Sequence, residues 1–450
     1  MRLRPAAVVL WGVTLGWFLP HLAAQVLAAN EPVVVSAEHP RLFLRPSRLR
    51  LLRRERERSS QRWQQFETLM KGNAPMPERG FAEALEFAAA QDRDAGHKAV
   101  AWVLGPEADL RQMALVYDWC RDLMTDAQRQ DLAARMGKRM AETAGDDSVS
   151  AVRSRVLAAV TLFDEVPQAP QRELERVVRD WWVRKMVPAL LAGRRVVARD
   201  DAYALYELLH AMRDGTNFDL RESCPRFFKD FPIEHLLSHY PAPLQTSEND
   251  FHIGAGRQSG EPDLRLAALS RAAELAMVAY DVNAPDSQVL QGWLMHDHYM
   301  LRGTFGAPYE FLWADPYQPG LSYYLVPLIY YNSDFGTLFV RSSWEDTADW
   351  FGYFDGVMQL FQHDRLTAVN PQLAQPPLAL RSALVCLGQS ARKFRMKVED
   401  EDAVFIVGLE PRRTYQVEID DEEMYEVAAD RGGILELDMP RGKDVGVRLK

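Results

Sequence analysis

The chain has 450 residues, 47% of them hydrophobic and 26% charged, an ordinary globular composition that is too long for one small core and suits two domains. Its formal charge of −10 disfavours nucleic acid as a partner, and it requires a locally basic cleft if the ligand is a polyanionic sugar. Cys120, Cys224 and Cys386 are far apart with no metal-ligand spacing, so no disulfide framework, zinc site or other cofactor can be read from them; one bridge in an oxidising compartment and buried free thiols both stay open.

Residues 1–29 have the pattern of a secretory signal. Arg2 and Arg4 precede an apolar stretch over 6–19, Pro20 breaks it, and Ala23, Ala24, Ala28 and Ala29 supply the small residues of a cleavage site. The apolar run is short for a membrane span. The expectation is a secreted or periplasmic protein beginning near Asn30, with no stable span after signal removal. Losing Arg2 and Arg4 would move the charge from −10 to −12.

Residues 47–70 read as a basic amphipathic helix whose Arg/Glu mixture marks a solvated face. Helical periodicity continues over 81–90, 98–104, 110–123, 126–144, 149–166 and 171–191, with helix-start signals at 106–109 and 125–126. Such antiparallel helix pairs, without a clean sequence repeat, can close into a toroid, expected here over 37–326. Within it, residues 201–213 read DAYALYELLHAMR. Tyr203, Tyr206, His210 and Arg213 are three or four apart, so one helix face carries a phenol, an imidazole and a guanidinium. An aromatic core stripe with a satisfied histidine has the same spacing.

The chain loosens over 241–263, PAPLQTSENDFHIGAGRQSGEPD. A loop that long inside a domain tends to be functional. It holds His252 beside Glu248, Asn249, Asp250 and Arg257. Its GAGRQSG lacks the spacing and the βαβ setting of a dinucleotide fingerprint. Helices follow over 264–280 and 287–300, the second ending in Met295-His296-Asp297-His298-Tyr299. Residues two apart on a helix point to different faces, so this HxH set is not expected to bind metal. Arg302 precedes an aromatic, Pro/Gly-rich connector over 305–324.

At Gly336 the period changes to two. Leu338, Val340 and Ser342 alternate with Phe339, Arg341 and Ser343; a charged turn at Glu345-Asp346 leads back through Trp350, Phe351, Tyr353 and Phe354. This predicts two half-buried strands at a domain border, where clefts usually hold ligands. Further strands are expected over 403–407, 414–419, 425–427, 434–437 and 445–449, giving an antiparallel β-sandwich over 334–450. The acidic turn at 420–423 lacks the glycine and spacing of a calcium loop. The expected fold class is therefore α+β multidomain: a helical (α/α) toroid followed by a C-terminal antiparallel β-sandwich.

Three segments carry a resemblance. They are His39-Pro40-Arg41-Leu42; Leu115-Val116-Tyr117-Asp118-Trp119 with Leu123-Met124-Thr125-Asp126-Ala127-Gln128-Arg129; and Gly336…Arg341-Ser342-Ser343-Trp344…Ala348…Trp350 followed by His363. Together they resemble the heparinase II/III-like polysaccharide lyases, with a short β-domain. The resemblance implies β-elimination on a uronic-acid-containing polysaccharide. It also implies a toroid Asn or His and a Tyr, with a β-domain His, as the proton-transfer groups. His363 stands where the family has an H-x-H-x-D-x-G-like segment, but the second His and the Gly are absent here.

That chemistry needs a carboxylate clamp, a base and an acid. Tyr203, Tyr206, His210 and His363 are the candidate catalytic residues. Arg213, Arg302, Arg341, His252 and Trp344 are the candidate substrate contacts, the arginines because a guanidinium grips a carboxylate in bidentate fashion. Two other classes remain open. Asp200, Asp201, Asp214 and Asp219 surround the same helix and admit a glycoside hydrolase on the toroid. The missing motif admits a non-catalytic carbohydrate-binding or scaffold relative.

Overall fold

A computed structural model describes residues 31–247, 249–256, 261–296, 300–370, 376–388, 393–397, 403–421, 423–439 and 442–450. The signal segment, Glu248, Arg257, Asp297–Tyr299 and Glu422 lie outside the described residues.

Six helices form an inner ring: Arg79–Ala90, Leu110–Trp119, Val149–Leu162, Ala202–Gly215, Leu264–Tyr280 and Gly303–Trp313. Each packs on the next, and the last returns to the first. Arg93–Val103, Asp126–Glu142, Ala169–Arg176, Pro285–His296 and Gln61–Lys71 lie outside them. This is the toroid arrangement expected from the helix pairs. Inner helices are enclosed nearly all round, so every residue of Leu110–Trp119 is buried. Helix starts are set locally: Ser60, Asp92, Asp109, Ser148 and Asp263 each accept a backbone N–H, and Thr125 with Gln128 forms a capping box. No strand falls within residues 80–200.

Two of the resemblance segments turn out to hold each other. The Asp118 carboxylate accepts from His39 Nδ1 at 2.6 Å, from Arg41 N at 3.0 Å and from Leu42 N at 2.8 Å. Trp119 Nε1 donates to the Leu42 carbonyl at 2.9 Å. The HPRL segment is thus a strap pinned across the YDW helix.

The ring's axis is charged rather than apolar. Arg111 is bidentate on Glu207 (2.9 and 2.6 Å) and reaches Glu78 at 3.1 Å. Arg153 also pairs with Glu207, and Tyr203 donates to it at 2.7 Å. Burial opposes ionisation of both Arg111 and Glu207, but the pairing wins: the guanidinium is shifted up and the carboxyl down.

The β region has the expected strands, stacked in three sheets. A five-stranded antiparallel sheet runs in sequence order from Ile329–Asn332 through Thr337–Arg341, Trp350–Phe354 and Val357–Gln362 to Arg365–Ala368. Its Leu338, Val340, Phe351 and Tyr353 pack on a second sheet that contains Ala383–Leu387 and Ala403–Val407. The far face of that sheet (Cys386, Val404, Ile406, Leu435) packs on a third, which contains Thr414–Ile419 and Asp444–Leu449. Two adjacent strands of the middle sheet, Ala383–Leu387 and Ala403–Val407, run parallel. A sheet covered on both faces reads as continuous apolar runs, here ALVCL and AVFIV.

The same reasoning corrects the half-buried strands expected at the domain border. Thr337–Arg341 and Trp350–Phe354 are buried at every position. Their second face (Phe339, Trp350, Phe354) joins the helical core. Tyr240 packs against Trp350 at 5.2 Å and Phe361 at 5.9 Å, and Trp350 Nε1 donates to the Leu237 carbonyl at 2.8 Å. The three cysteines are free and buried, and burial pushes the Cys386 thiol up to about 12. Among the described residues no helix is long and apolar enough to cross a membrane.

The axis network generates a stability prediction. Glu207→Gln removes the carboxylate that Arg111 and Arg153 share, leaving Arg111 only its contact with Glu78. It is expected to cost about 3–5 kcal/mol of unfolding free energy in urea titration.

Candidate active site

Where the ring meets the first sheet there is a cleft of about 640 Å³. Its walls are the turn Arg199–Asp201 at the start of Ala202–Gly215, residues 253–256 and 261–263 of the long loop, Ser270 of Leu264–Tyr280, and the Phe354-Asp355 turn of the sheet.

Arg199 lies on its floor. Its Nη1 donates to the Ser238 carbonyl at 3.0 Å and its Nη2 to the His235 carbonyl at 3.3 Å. It thereby caps the C-terminal end of helix Pro225–Leu237, the end that attracts cations. Gly254 makes room for it: a Cβ there would sit 2.1 Å from the Arg199 guanidinium carbon. Burial lowers the guanidinium to about 10, which leaves it charged at neutral pH. Its Nε is buried and has no hydrogen-bond partner among the described residues.

Directly beneath is a buried polar cluster. His239 has both ring nitrogens 3.1 Å from Arg199 Nη2. Glu274 Oε1 lies 3.2 Å from His235 Nε2 and 3.3 Å from His239 Nε2. Ser270 Oγ lies 3.1 Å from His235 Nε2, and Arg271 holds the other Glu274 oxygen at 3.1 Å. Burial keeps His235 below its usual range; burial and the Arg199 charge keep His239 well below. Burial works against Glu274, but the His235 hydrogen bond and Arg271 hold its carboxyl down. At neutral pH the set is two neutral imidazoles, a carboxylate and two guanidiniums.

The residues expected from sequence do not form one group. Tyr203 donates to Glu207 and accepts from Trp313 Nε1 in the ring axis. Tyr206 is 1% exposed, stacked on Phe231 with Phe228 and Tyr280 edge-on, and burial raises its phenol. His210 sits between Trp313 and Tyr280, donates from Nε2 to the Ala276 carbonyl at 2.9 Å and accepts from Arg213 at 3.2 Å. It lines a different cleft, of about 420 Å³, with Arg45, Arg48, Arg213 and Asp214. The expected common cleft with His363 is therefore not formed. His363 and Asp364, at φ 51° and 60°, make the exposed two-residue turn between Val357–Gln362 and Arg365–Ala368, a position chosen for turn geometry.

The remaining expected contacts are also corrected or moved. Arg341 is buried, donates to the Ser343 carbonyl at 3.2 Å and lies over Trp344, whose Nε1 donates to the Val326 carbonyl. This pair is a wedge under the connector rather than a ligand clamp. Arg302 is exposed at the start of Gly303–Trp313. His252 alone is drawn to the cleft's surroundings: it packs edge-on to Trp293, which also contacts His239 and Arg271. Asp200 and Asp201 line the 640 Å³ cleft, whereas Asp214 lines the 420 Å³ one and Asp219 pairs with Tyr280.

Sequence reasoning passed over Arg199, His235, His239 and Glu274. The available signal was His235-Leu236-Leu237-Ser238-His239, two histidines one helical turn apart immediately before the long loop.

No protein-family model and no curated protein matches the chain. Among solved structures, a chain described as "Glycoside hydrolase" is similar over 93% of this chain and 77% of that one, at 9% identity and a TM-score of 0.33.

The second cleft gives a pH prediction. Burial would push the Asp214 carboxyl up, but His210 and Arg213 outweigh it and hold it at about 2, with Arg45 at 2.9 Å. Against about 3.9 in an unfolded chain, the folded value is depressed, so the stabilisation is complete above that pH and is lost as pH falls through the folded value. Asp214→Asn should lower the melting temperature at neutral pH. Its deficit against the parent should shrink as pH is taken from about 4 towards 2.

Proposed function

We propose that the chain is a carbohydrate-processing enzyme that cuts a uronic-acid-containing polysaccharide by β-elimination in the 640 Å³ cleft. The observation that carries this reading is a guanidinium on the cleft floor lying directly over a neutral imidazole. β-Elimination needs that pairing: a cation to neutralise the sugar carboxylate, which acidifies the C5 proton, and a base to take it. Arg199 is assigned the carboxylate; His239 is buried behind the cleft wall, so the C5 proton is assigned to Ser270 Oγ, which lines the cleft and passes its own proton to His239 Nε2 at 3.5 Å, with Glu274 stabilising the imidazolium formed. The C5–H electron pair becomes the C4–C5 double bond, the C4–O bond breaks, and water in the open cleft protonates the departing oxygen. The resemblance to heparinase II/III-like lyases supports the reaction class, and the roles differ from those expected for Tyr206, His210 and His363.

A hydrolase is the second reading, favoured by Asp200, Asp201, Glu261, Asp263 and Asp355 along the same walls; they outnumber the cleft's Arg195 and Arg199, so a uronic-acid polymer would have to be held at the arginine floor against their repulsion. One incubation separates the two. With uronic-acid polymers, elimination yields unsaturated ends that absorb near the ultraviolet edge. A hydrolase yields reducing ends without that chromophore, an outcome that would overturn the lyase reading. Arg199→Ala should abolish the signal and Arg199→Lys should not restore it, since Lys lacks the planar fork. His239→Ala should lower turnover by about 10²–10⁴-fold. Tyr206→Phe, in its aromatic cage, should leave turnover intact.

The proposed workplace is outside the cytoplasm, on the strength of Arg2, Arg4 and the apolar stretch behind them. N-terminal sequencing of exported material is expected to start near Asn30; finding Met1 there would contradict cleavage.

A further inference from the structure

We infer that His235, His239, Glu274 and Ser270 form a binding site for a divalent cation of the zinc class. The site lies just under the cleft floor, with Ser270 forming part of the cleft wall as the route in.

Four of the six ligand-to-ligand separations have the length that a tetrahedral zinc shell requires. Ligands bound to zinc at about 2.0–2.1 Å in a tetrahedron lie about 3.3 Å from one another. Here the separations are 3.2 Å for His235 Nε2 to Glu274 Oε1, 3.3 Å for His239 Nε2 to Glu274 Oε1, 3.1 Å for Ser270 Oγ to His235 Nε2 and 3.5 Å for Ser270 Oγ to His239 Nε2. The two histidines and the carboxylate are each buried. The groups behind them are arranged as ligand supports usually are. Arg271 holds the outer Glu274 oxygen and leaves Oε1 facing inward. The Leu236 carbonyl lies 3.4 Å from His239 Nδ1 and can hold the proton there, which leaves the Nε2 lone pair to Arg199 Nη2 at 3.1 Å, a contact that a bound cation displaces. Two imidazoles and one carboxylate suit zinc and disfavour magnesium or calcium, which want oxygen shells. Arg199 and Arg271 repel a dication, so binding is expected to be reversible rather than permanent.

The inference rests on the proposed function in one consequence only. A bound cation occupies the His239 lone pair, so loading should silence elimination.

The full chain, stripped with a chelator, is titrated with zinc chloride against a chromophoric zinc indicator, with calcium and magnesium chloride as controls. The expected result is one equivalent of zinc bound, released by chelator, with a raised melting temperature and no competition from calcium or magnesium. His239→Ala and Glu274→Gln should each remove that equivalent, and Ser270→Ala should weaken it several-fold. If either buried substitution fails to fold, Ser270→Ala and the parent's metal selectivity carry the test. Absence of saturable zinc binding by the parent overturns the site, as does binding that folded His239→Ala and Glu274→Gln both retain. The activity arm is separate. Zinc bound as expected while elimination continues unchanged would keep the site and remove His239 as the base.

Discussion

The last turn of helix Pro225–Leu237 is the point on which the molecule's parts converge. A helix ends with carbonyls that have no partner of their own, and here the donors come from three separate parts of the fold. Arg199, from the ring, takes the carbonyls of His235 and Ser238. Trp350, from the first sheet, takes that of Leu237. Ala255, from the long loop, also donates to Ser238. Buried carbonyls must be satisfied, so one helix end fixes the ring, the loop and the sheet together. His235 and His239 ride on that turn, which is why the polar cluster and the cleft above it lie where they do.

Burial gives similar residue types different chemistry. Glu207 and Glu274 are both enclosed, and both carboxyls are held down against burial, Glu207 by Arg111 and Arg153 and Glu274 by the His235 hydrogen bond and Arg271. Glu207 sits in the closed axis of the ring, whereas Glu274 has a serine of the cleft wall as its neighbour's partner. The tyrosines differ in the same way. Tyr203 has Glu207 to donate to, while Tyr206 is ringed by Phe228, Phe231 and Tyr280. An acid–base role needs an open side as well as a suitable pKa, and neither tyrosine has one.

Much of the architecture was legible because it depends on local periodicity. The helix starts at Asp109 and Thr125 follow from capping chemistry. The strand Thr414–Ile419 appears where its alternation requires, and Ala403–Val407 where a short apolar run before a turn requires. Leu338 and Val340 do face one layer and Phe339 another. What periodicity could not state was the number of layers. Alternation distinguishes two faces of a strand but not what covers them, so the third sheet and the parallel pair were not visible.

The amino-acid sequence by itself determined the helical and β regions, the change between them near Gly336, and the long loop as a place to look. Those are properties of contiguous residues, set by side-chain spacing and turn chemistry. The tertiary structure alone decided which polar groups share a site. Arg199, His239, Ser270 and Glu274 come from a turn, a helix end and a separate helix, and their grouping depends on ring closure and on the sheet pressing against it. Helical spacing placed Tyr206 and His210 on one face, but a helix buried on all sides has no face reserved for a ligand. The candidate site lies instead where two domains leave space beside a charged helix end.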